Sequence, residues 1–203
     1  MDDKSSSKDI TLRMLATLLV MVGCAVALST HFRAVIGSSL DPVSSPIGAL
    51  IQTENAAWFR WGLWLFAISH IGLVVLLNKP GAGRFTRGAQ LFVLVNAALI
   101  FWLPVYFDSV ESFAQVTLAT SGGPMWLLGG SIGFCMACVA GSLWRSHYAT
   151  ALLTLVCLLL WSLLAPVFFA IDPAWIGAYQ RTVGLLLLFW SFMLARQLGS
   201  AQR

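Results

Sequence analysis

The side chains in this sequence that could do chemistry are few, and most of them are acids, a histidine and two arginines. His31, Asp41, Ser44, Ser45 and Asp172 are the residue types of a hydrolase: base, acid and hydroxyl nucleophile. Their spacing is not that of a hydrolase. The chain contains no G-x-S-x-G, no H-E-x-x-H, no Walker loop and no C-x-x-C-H, so no catalytic residue is assigned. Arg60 and Arg181 are a different kind of group, because a planar guanidinium matches carboxylate and phosphate with a fork of N–H donors. Each lies just inside the start of an apolar segment, about 6 Å from its end at 1.5 Å per residue. From there the side chain either snorkels to the headgroups or turns inward to meet Asp41, Asp172 or an anionic ligand. Asp41 and Asp172 each precede a proline, and Asp followed by Pro is first of all a cap with proline at the first helical position.

Other polar groups lie deeper. His70 and Asn96 stand at similar depths in neighbouring apolar segments, which predicts a buried interhelical hydrogen bond between them. A bis-histidine haem would need a second histidine at the depth of His70, and His31 and His147 fall at opposite ends of the pattern. No cofactor and no metal site is expected. Cys135-Met-Ala-Cys138 has redox spacing but lacks a neighbouring His or a second pair, so all four cysteines are expected to pack as small apolar residues.

The composition says what must position these groups. Of 203 residues 59% are hydrophobic and only 10% charged, with a mean hydropathy of +0.84. A soluble domain carries about a quarter charged residues, so a soluble enzyme, a disordered chain and a nucleic-acid binder are excluded together. Six apolar segments, at residues 10–29, 56–78, 88–107, 124–144, 148–170 and 177–195, are each long enough to cross a bilayer, and hydrocarbon requires each to be helical. The expectation is therefore an all-α integral membrane protein, a single six-helix domain over residues 1–203. The first segment also has the outline of a secretory signal, with Lys4, Lys8 and Arg13 ahead of it, Ala27-Leu28-Ser29 behind, and Met21-Val22-Gly23-Cys24 approaching a lipoprotein box. It is expected to stay as the first span.

Nine of the twelve basic residues (Lys4, Lys8, Arg13, Lys79, Arg84, Arg87, Arg145, Arg196 and Arg203) fall on the side of the termini. By the positive-inside rule both ends are cytoplasmic. Arg33, Arg60 and Arg181 share the far side with Asp41, Glu54, Asp108, Glu111 and Asp172, and the long loops, 30–55 and 108–123, are there too. In the first of them Ser44 to Ile51 reads as a short interfacial helix capped by Ser45. Trp175 and Tyr179 are expected at headgroup level, and Trp58, Trp61 and Trp64 as a lipid-facing belt. Gly129, Gly133, Ala137 and Gly141 repeat every four residues, a stripe that lets helix backbones approach closely, within the chain or between subunits.

The run Asp41-Pro42-Val43-Ser44-Ser45-Pro46-Ile47-Gly48-Ala49-Leu50 ahead of an apolar helix, with Gln180-Arg181-Thr182, Trp190, Ala195 and Gln197 in the last one, resembles a bacterial six-helix membrane family. That family is known only as domain of unknown function 998. Leu40 and Pro46-Ile47-Gly48 depart from its pattern, in which an aromatic precedes the Asp and a Ser lies near the Leu. The resemblance implies a six-helix fold with Asp41 and Arg181 as its polar signature, implies no activity, and through a distant likeness to eukaryotic six-helix proteins of lipid remodelling points toward lipid.

The expected function is a non-catalytic multi-pass protein of a bacterial inner membrane that binds lipid or a partner membrane complex through the far-face cluster of Arg60, Arg181, Asp41, Asp172 and His31. Two alternatives stand beside it. One is an intramembrane hydrolase or transferase acting on lipid headgroups; the other is an accessory subunit, or a homo-oligomer, held through the fourth helix.

Overall fold

A computed structural model describes the backbone of residues 3–78, 83–108 and 118–200, and side chains over 8–78, 83–108, 127–168 and 170–200. Among the described residues every regular element is helical. The long helices are α1 (Asp3–Ile36), α2 (Ala56–Leu77), α3 (Arg84–Asp108), α4 (Leu118–Leu143), α5 (Tyr148–Leu164) and α6 (Ile176–Ser200). The fold class expected from composition is thus observed as an all-helical chain. Five stretches, Lys8–Ile36, Ala56–Leu77, Arg84–Asp108, Tyr148–Phe168 and Pro173–Ser200, are long and apolar enough to cross a membrane. In α4 the stretch Leu127–Leu143 is also apolar but shorter. Lys79, Glu111 and Arg203 lie outside the described residues, as do 109–117 of the expected loop 108–123; the rest of that loop, from Leu118, is already α4, which therefore starts ahead of the expected residue 124.

The helices run back and forth, so that each end of the bundle collects alternate helix termini. At one end, here the lower, Arg13 of α1 donates from Nη2 to the carbonyl of Asn78 at 2.8 Å, just after α2. A cation there complements the negative end of the α2 dipole. Also toward this end Thr150 and Gln197 hydrogen-bond through their side chains, and the Trp190 indole N–H reaches the Thr154 hydroxyl at 3.3 Å, joining α5 to α6. Around these contacts the main core packs Leu73, Leu76, Val93, Met136, Trp190 and Leu194.

The upper end is built differently from expectation. α1 was expected to stop at residue 29 and instead runs to Ile36. No Gly or Pro interrupts residues 30–36, and the Thr30 hydroxyl bonds back to the Val26 carbonyl at 2.8 Å within the helix. His31 and Arg33 therefore sit on the last turns of α1 and not in a loop. The following short helix is a 3₁₀ segment, Ile47–Gln52, whose preceding position is Pro46 and which has no side-chain cap. Ser45 does not cap it: its backbone N–H closes a turn on the Asp41 carbonyl at 2.8 Å. Leu50 and Ile51 are buried with Ala34, Phe59, Leu103 and Phe107 in a second core that closes this end.

Candidate functional site

The first turns of α6 grip the loop that follows α1. Ala178 N–H donates to the Val43 carbonyl at 2.9 Å, and Gln180 Oε1 accepts the Ile47 N–H at 2.7 Å, taking up a donor that the 3₁₀ segment leaves free. Arg181 donates from Nη1 to the carbonyls of Pro42 at 2.7 Å and Ser45 at 2.9 Å. The approach is close enough to require glycine at 177. A Cβ there would press on the Ser45 carbonyl, on the Pro42 carbonyl at 2.8 Å and on Arg181 Nη1 at 2.7 Å.

Arg181 is therefore turned inward, but only one edge of it is used. Nε and Nη2 are covered from solvent and have no hydrogen-bond partner. Those two nitrogens form the side-on edge of the guanidinium, the edge that grips a carboxylate or phosphate with two parallel N–H bonds. A buried donor without a partner is costly, which marks this edge as incomplete.

Asp41 was expected within reach of an arginine. It is near enough to Arg181 to feel its charge but makes no hydrogen bond with it, and closes its own turn by accepting from the Ser44 hydroxyl at 2.5 Å, the Val43 N–H at 3.1 Å and the Ser44 N–H at 3.2 Å. The Ser44 hydroxyl, then these backbone donors and the positive charge of Arg181, hold its carboxyl below the usual carboxylate range. Asp172 accepts the Ala174 N–H at 2.8 Å and caps the 3₁₀ turn Pro173–Trp175, as its Asp-Pro context suggests. Arg60 meets neither of them: it pairs with Asp108 at 2.6 Å, across from α2 to α3. The five residues expected as one cluster thus lie at the same end of the bundle in three separate arrangements. Among the described residues no hydrogen bond links His31 to Asp41 or Ser44.

Beneath the loop lies a cavity of about 660 Å³. Arg181, Gln180, Tyr179, His31 and Ser162 line it from helix ends that share the upper end, and the remaining wall is apolar, including Phe66, Ile132, Leu158 and Leu187. It exists because α5 and α6 are joined near both ends and apart between. Toward the lower end they are tied by the Trp190 and Gln197 contacts. At the upper end Pro166 breaks α5 into a 3₁₀ segment, Ala165–Phe169, and the Tyr179 hydroxyl donates to the Leu164 carbonyl at 2.9 Å. Glycines hollow the walls between, since a Cβ at Gly130 or Gly184 would meet nothing within 4 Å. The lining residues Phe134, Ser162 and Leu185 are also exposed, so the cavity is not sealed.

The small-residue stripe of α4 serves this cavity along part of its length. Gly129, Gly133 and Ala137 line it, and Cβ atoms at Gly129 and Gly133 would come only to van der Waals range of Trp161, at 4.0 and 3.7 Å. The Trp161 indole N–H donates to the Gly129 carbonyl at 2.9 Å. Gly141 faces Phe85 of α3, 3.1 Å from where its Cβ would be.

His70 and Asn96 are both buried, but the expected hydrogen bond between them is not formed through the free imidazole nitrogen. His70 Nδ1 bonds the Phe66 carbonyl at 2.9 Å within α2, while Nε2 and Asn96 Oδ1 are each without a partner. With the proton on Nδ1, Nε2 and Oδ1 are both acceptors, which gives them no bond to make with each other. Tyr179 is not a free headgroup anchor, whereas Trp175 is exposed. Trp58 and Trp61 are exposed, as a belt requires; Trp64 stacks on Phe101 and donates to its carbonyl at 3.2 Å. Arg33 lies over the Trp58 ring at 4.1 Å. All four cysteines are free, and among the described residues no group of acids, histidines and cysteines could hold a metal.

Sequence reading did not find Gly177, Gly184, Trp161 or the cavity. Gly177 next to Ala178, in the turn that follows the Asp172-Pro173 cap, was the available signal for a close backbone approach. The cavity had none, because its apolar wall reads like any packed helix face. Fold and site together define a helical, membrane-type protein with an apolar cavity and an arginine at one end. A comparison with family models finds no match, and comparisons with curated proteins and with solved structures find none either.

Proposed function

We propose that this protein is a non-catalytic, multi-pass protein of a bacterial inner membrane that binds an anionic lipid at the upper, external end of the bundle. The observation that carries the reading is Arg181: its Nη1 fastens the loop while the side-on edge, Nε and Nη2, is buried without a partner beside a large apolar cavity. Both nitrogens are covered, so the headgroup docks with a small swing of the guanidinium into the cavity. Six crossings with both termini cytoplasmic belong to the proposal, α4 being the sixth, as does a 3₁₀ segment Ile47–Gln52 at the membrane interface. The basic residues of the lower end support this orientation. Membership in the six-helix family also belongs to it, supported by the contact between the two motifs that carry the resemblance, Asp41 to Leu50 and Gln180 to Thr182.

The test is lipid carried through purification. Full-length protein extracted in mild detergent should show a bound anionic lipid by native mass spectrometry, lost in Arg181→Leu and largely kept in Arg181→Lys. Equal occupancy in wild type and Arg181→Leu would overturn the reading.

A further inference from the structure

We infer that the occupant of the cavity is a long-chain carboxylate, one acyl chain whose carboxyl group takes the unpartnered edge of Arg181 when the guanidinium swings into the cavity. The inference rests on the lipid-binding reading above and narrows it to a ligand class. Three observations converge on it.

Size comes first. At roughly 30 Å³ for a water-sized group in a liquid, 660 Å³ holds about 22 such groups. A chain of sixteen to eighteen carbons with its carboxylate is of that size. Ligand cavities of about 300–1,000 Å³ hold one small molecule, and this one lies within that range.

Polarity follows the same plan. The lining side chains with polar atoms come from the last turns of α1 and α5 and the first turns of α6, all at the upper end, and everything deeper is apolar. Such a cavity is matched by a molecule with one polar end. A neutral chain would leave the Nε and Nη2 donors of Arg181 unpartnered, and a carboxylate satisfies both at once. No covalent step is involved.

The third observation is how the space is kept open. Gly184 of α6, half-buried, and Gly130 of α4, which is exposed, each have nothing within 4 Å of where a Cβ would be, and both line the cavity. Gly is about 1 kcal/mol less favourable than Ala inside a helix. At the half-buried Gly184 the lack of any close neighbour is explained by an occupant that needs the room. Phe134 and Leu185, exposed and lining, give a chain a route in from the surrounding lipid.

Delipidated full-length protein in detergent, offered equal mole fractions of palmitate, hexadecanol, lysophosphatidylglycerol and diacyl phosphatidylglycerol, tests this by native mass spectrometry. Palmitate should occupy one site per chain and exceed hexadecanol, which has the same chain without the charge, by about tenfold or more, equivalent to ~1.4 kcal/mol. Gly184→Leu, which fills the cavity and leaves Arg181 intact, should lower palmitate occupancy by a similar factor. Thermal unfolding of the same variant separates a filled cavity from a misfolded chain, and if it unfolds early Gly130→Leu takes its place. Preferred binding of lysophosphatidylglycerol or of the diacyl lipid would overturn the inference and leave the lipid-binding reading standing. Equal uptake of palmitate and hexadecanol, or palmitate binding unchanged in the cavity-filled protein, would also overturn it. Failure of all three anionic lipids would remove both.

Discussion

Two glycines of α6, seven residues apart, should respond to the same substitution with opposite signs. In a helix interior Gly→Ala is stabilising by about 0.8–1 kcal/mol, from propensity and from a less mobile unfolded chain. Gly184 should follow that rule, because a Cβ there meets nothing within 4 Å. Gly177 should break it. The added Cβ would come within 2.8 Å of the Pro42 carbonyl and against the Ser45 carbonyl, both backbone that cannot rotate away, and within 2.7 Å of the side-chain Nη1 of Arg181. Overpacking of this kind costs about 1–3 kcal/mol. Displacing the loop also weakens the two bonds from Nη1, at about 1 kcal/mol each on the low side for a partly exposed charged donor. Less the propensity gain, Gly177→Ala should lose about 1–3 kcal/mol while Gly184→Ala gains up to 1. Thermal unfolding in detergent reads this directly, at about 2–4 °C per kcal/mol for a chain of this length. Limited proteolysis in the loop after α1 should rise for Gly177→Ala alone. If Gly177→Ala is as stabilising as Gly184→Ala, the close contact between α6 and the loop does not exist and the placement of Arg181 fails with it.

Other perturbations separate the three arrangements at the upper end. Asp108→Asn removes the partner of Arg60, and since both side chains are part exposed the loss should stay below about 1 kcal/mol and shrink further in high salt. The Asp41 carboxyl is held below its ordinary value, so what its turn contributes is fully present above the usual carboxylate range and is lost as pH falls through the lowered folded value. Ser44→Ala removes the largest cause of that lowering, and the loop's protease sensitivity should then appear at a higher pH than in wild type. Trp161→Phe gives up the indole bond to the Gly129 carbonyl and should cost about 1 kcal/mol in thermal unfolding.

What could be read from the sequence follows from which forces leave a one-dimensional trace. Apolar runs do: α2 and α3 agree with the expected segments to within a few residues, and α5 starts at the expected residue 148 but gives way to a 3₁₀ segment after Leu164, ahead of Pro166. The end of α1 did not, because Thr30 to Ile36 are polar enough to suggest a loop and yet contain nothing that stops a helix. Asp172 before Pro173 is a local capping signal and reads correctly. Partner choice across the bundle is another matter: Arg60 reaches Asp108 and not Asp41 because α2 and α3 pack side by side, and that adjacency has no marker near either residue. The Gly129 to Gly141 repeat was visible as a pattern, but whether small residues admit a neighbouring backbone, a tryptophan or an empty volume depends on what stands opposite. Arg181 and Asp41 were legible as the polar signature through a resemblance, while the reason they sit together, the fastening of the loop to α6, is purely three-dimensional.

Occupancy of the cavity by a long-chain carboxylate shows directly in what touches its wall in a membrane. A palmitate carrying a diazirine in mid-chain, added to the full-length protein in bilayer vesicles and photolysed, marks its own site. The expected adducts lie on peptides that hold the buried lining residues Trp161 and Leu187, and they are lost in Arg181→Leu. Adducts confined to exposed outer positions such as Leu12 and Leu18 of α1, with none on the cavity wall, would contradict it.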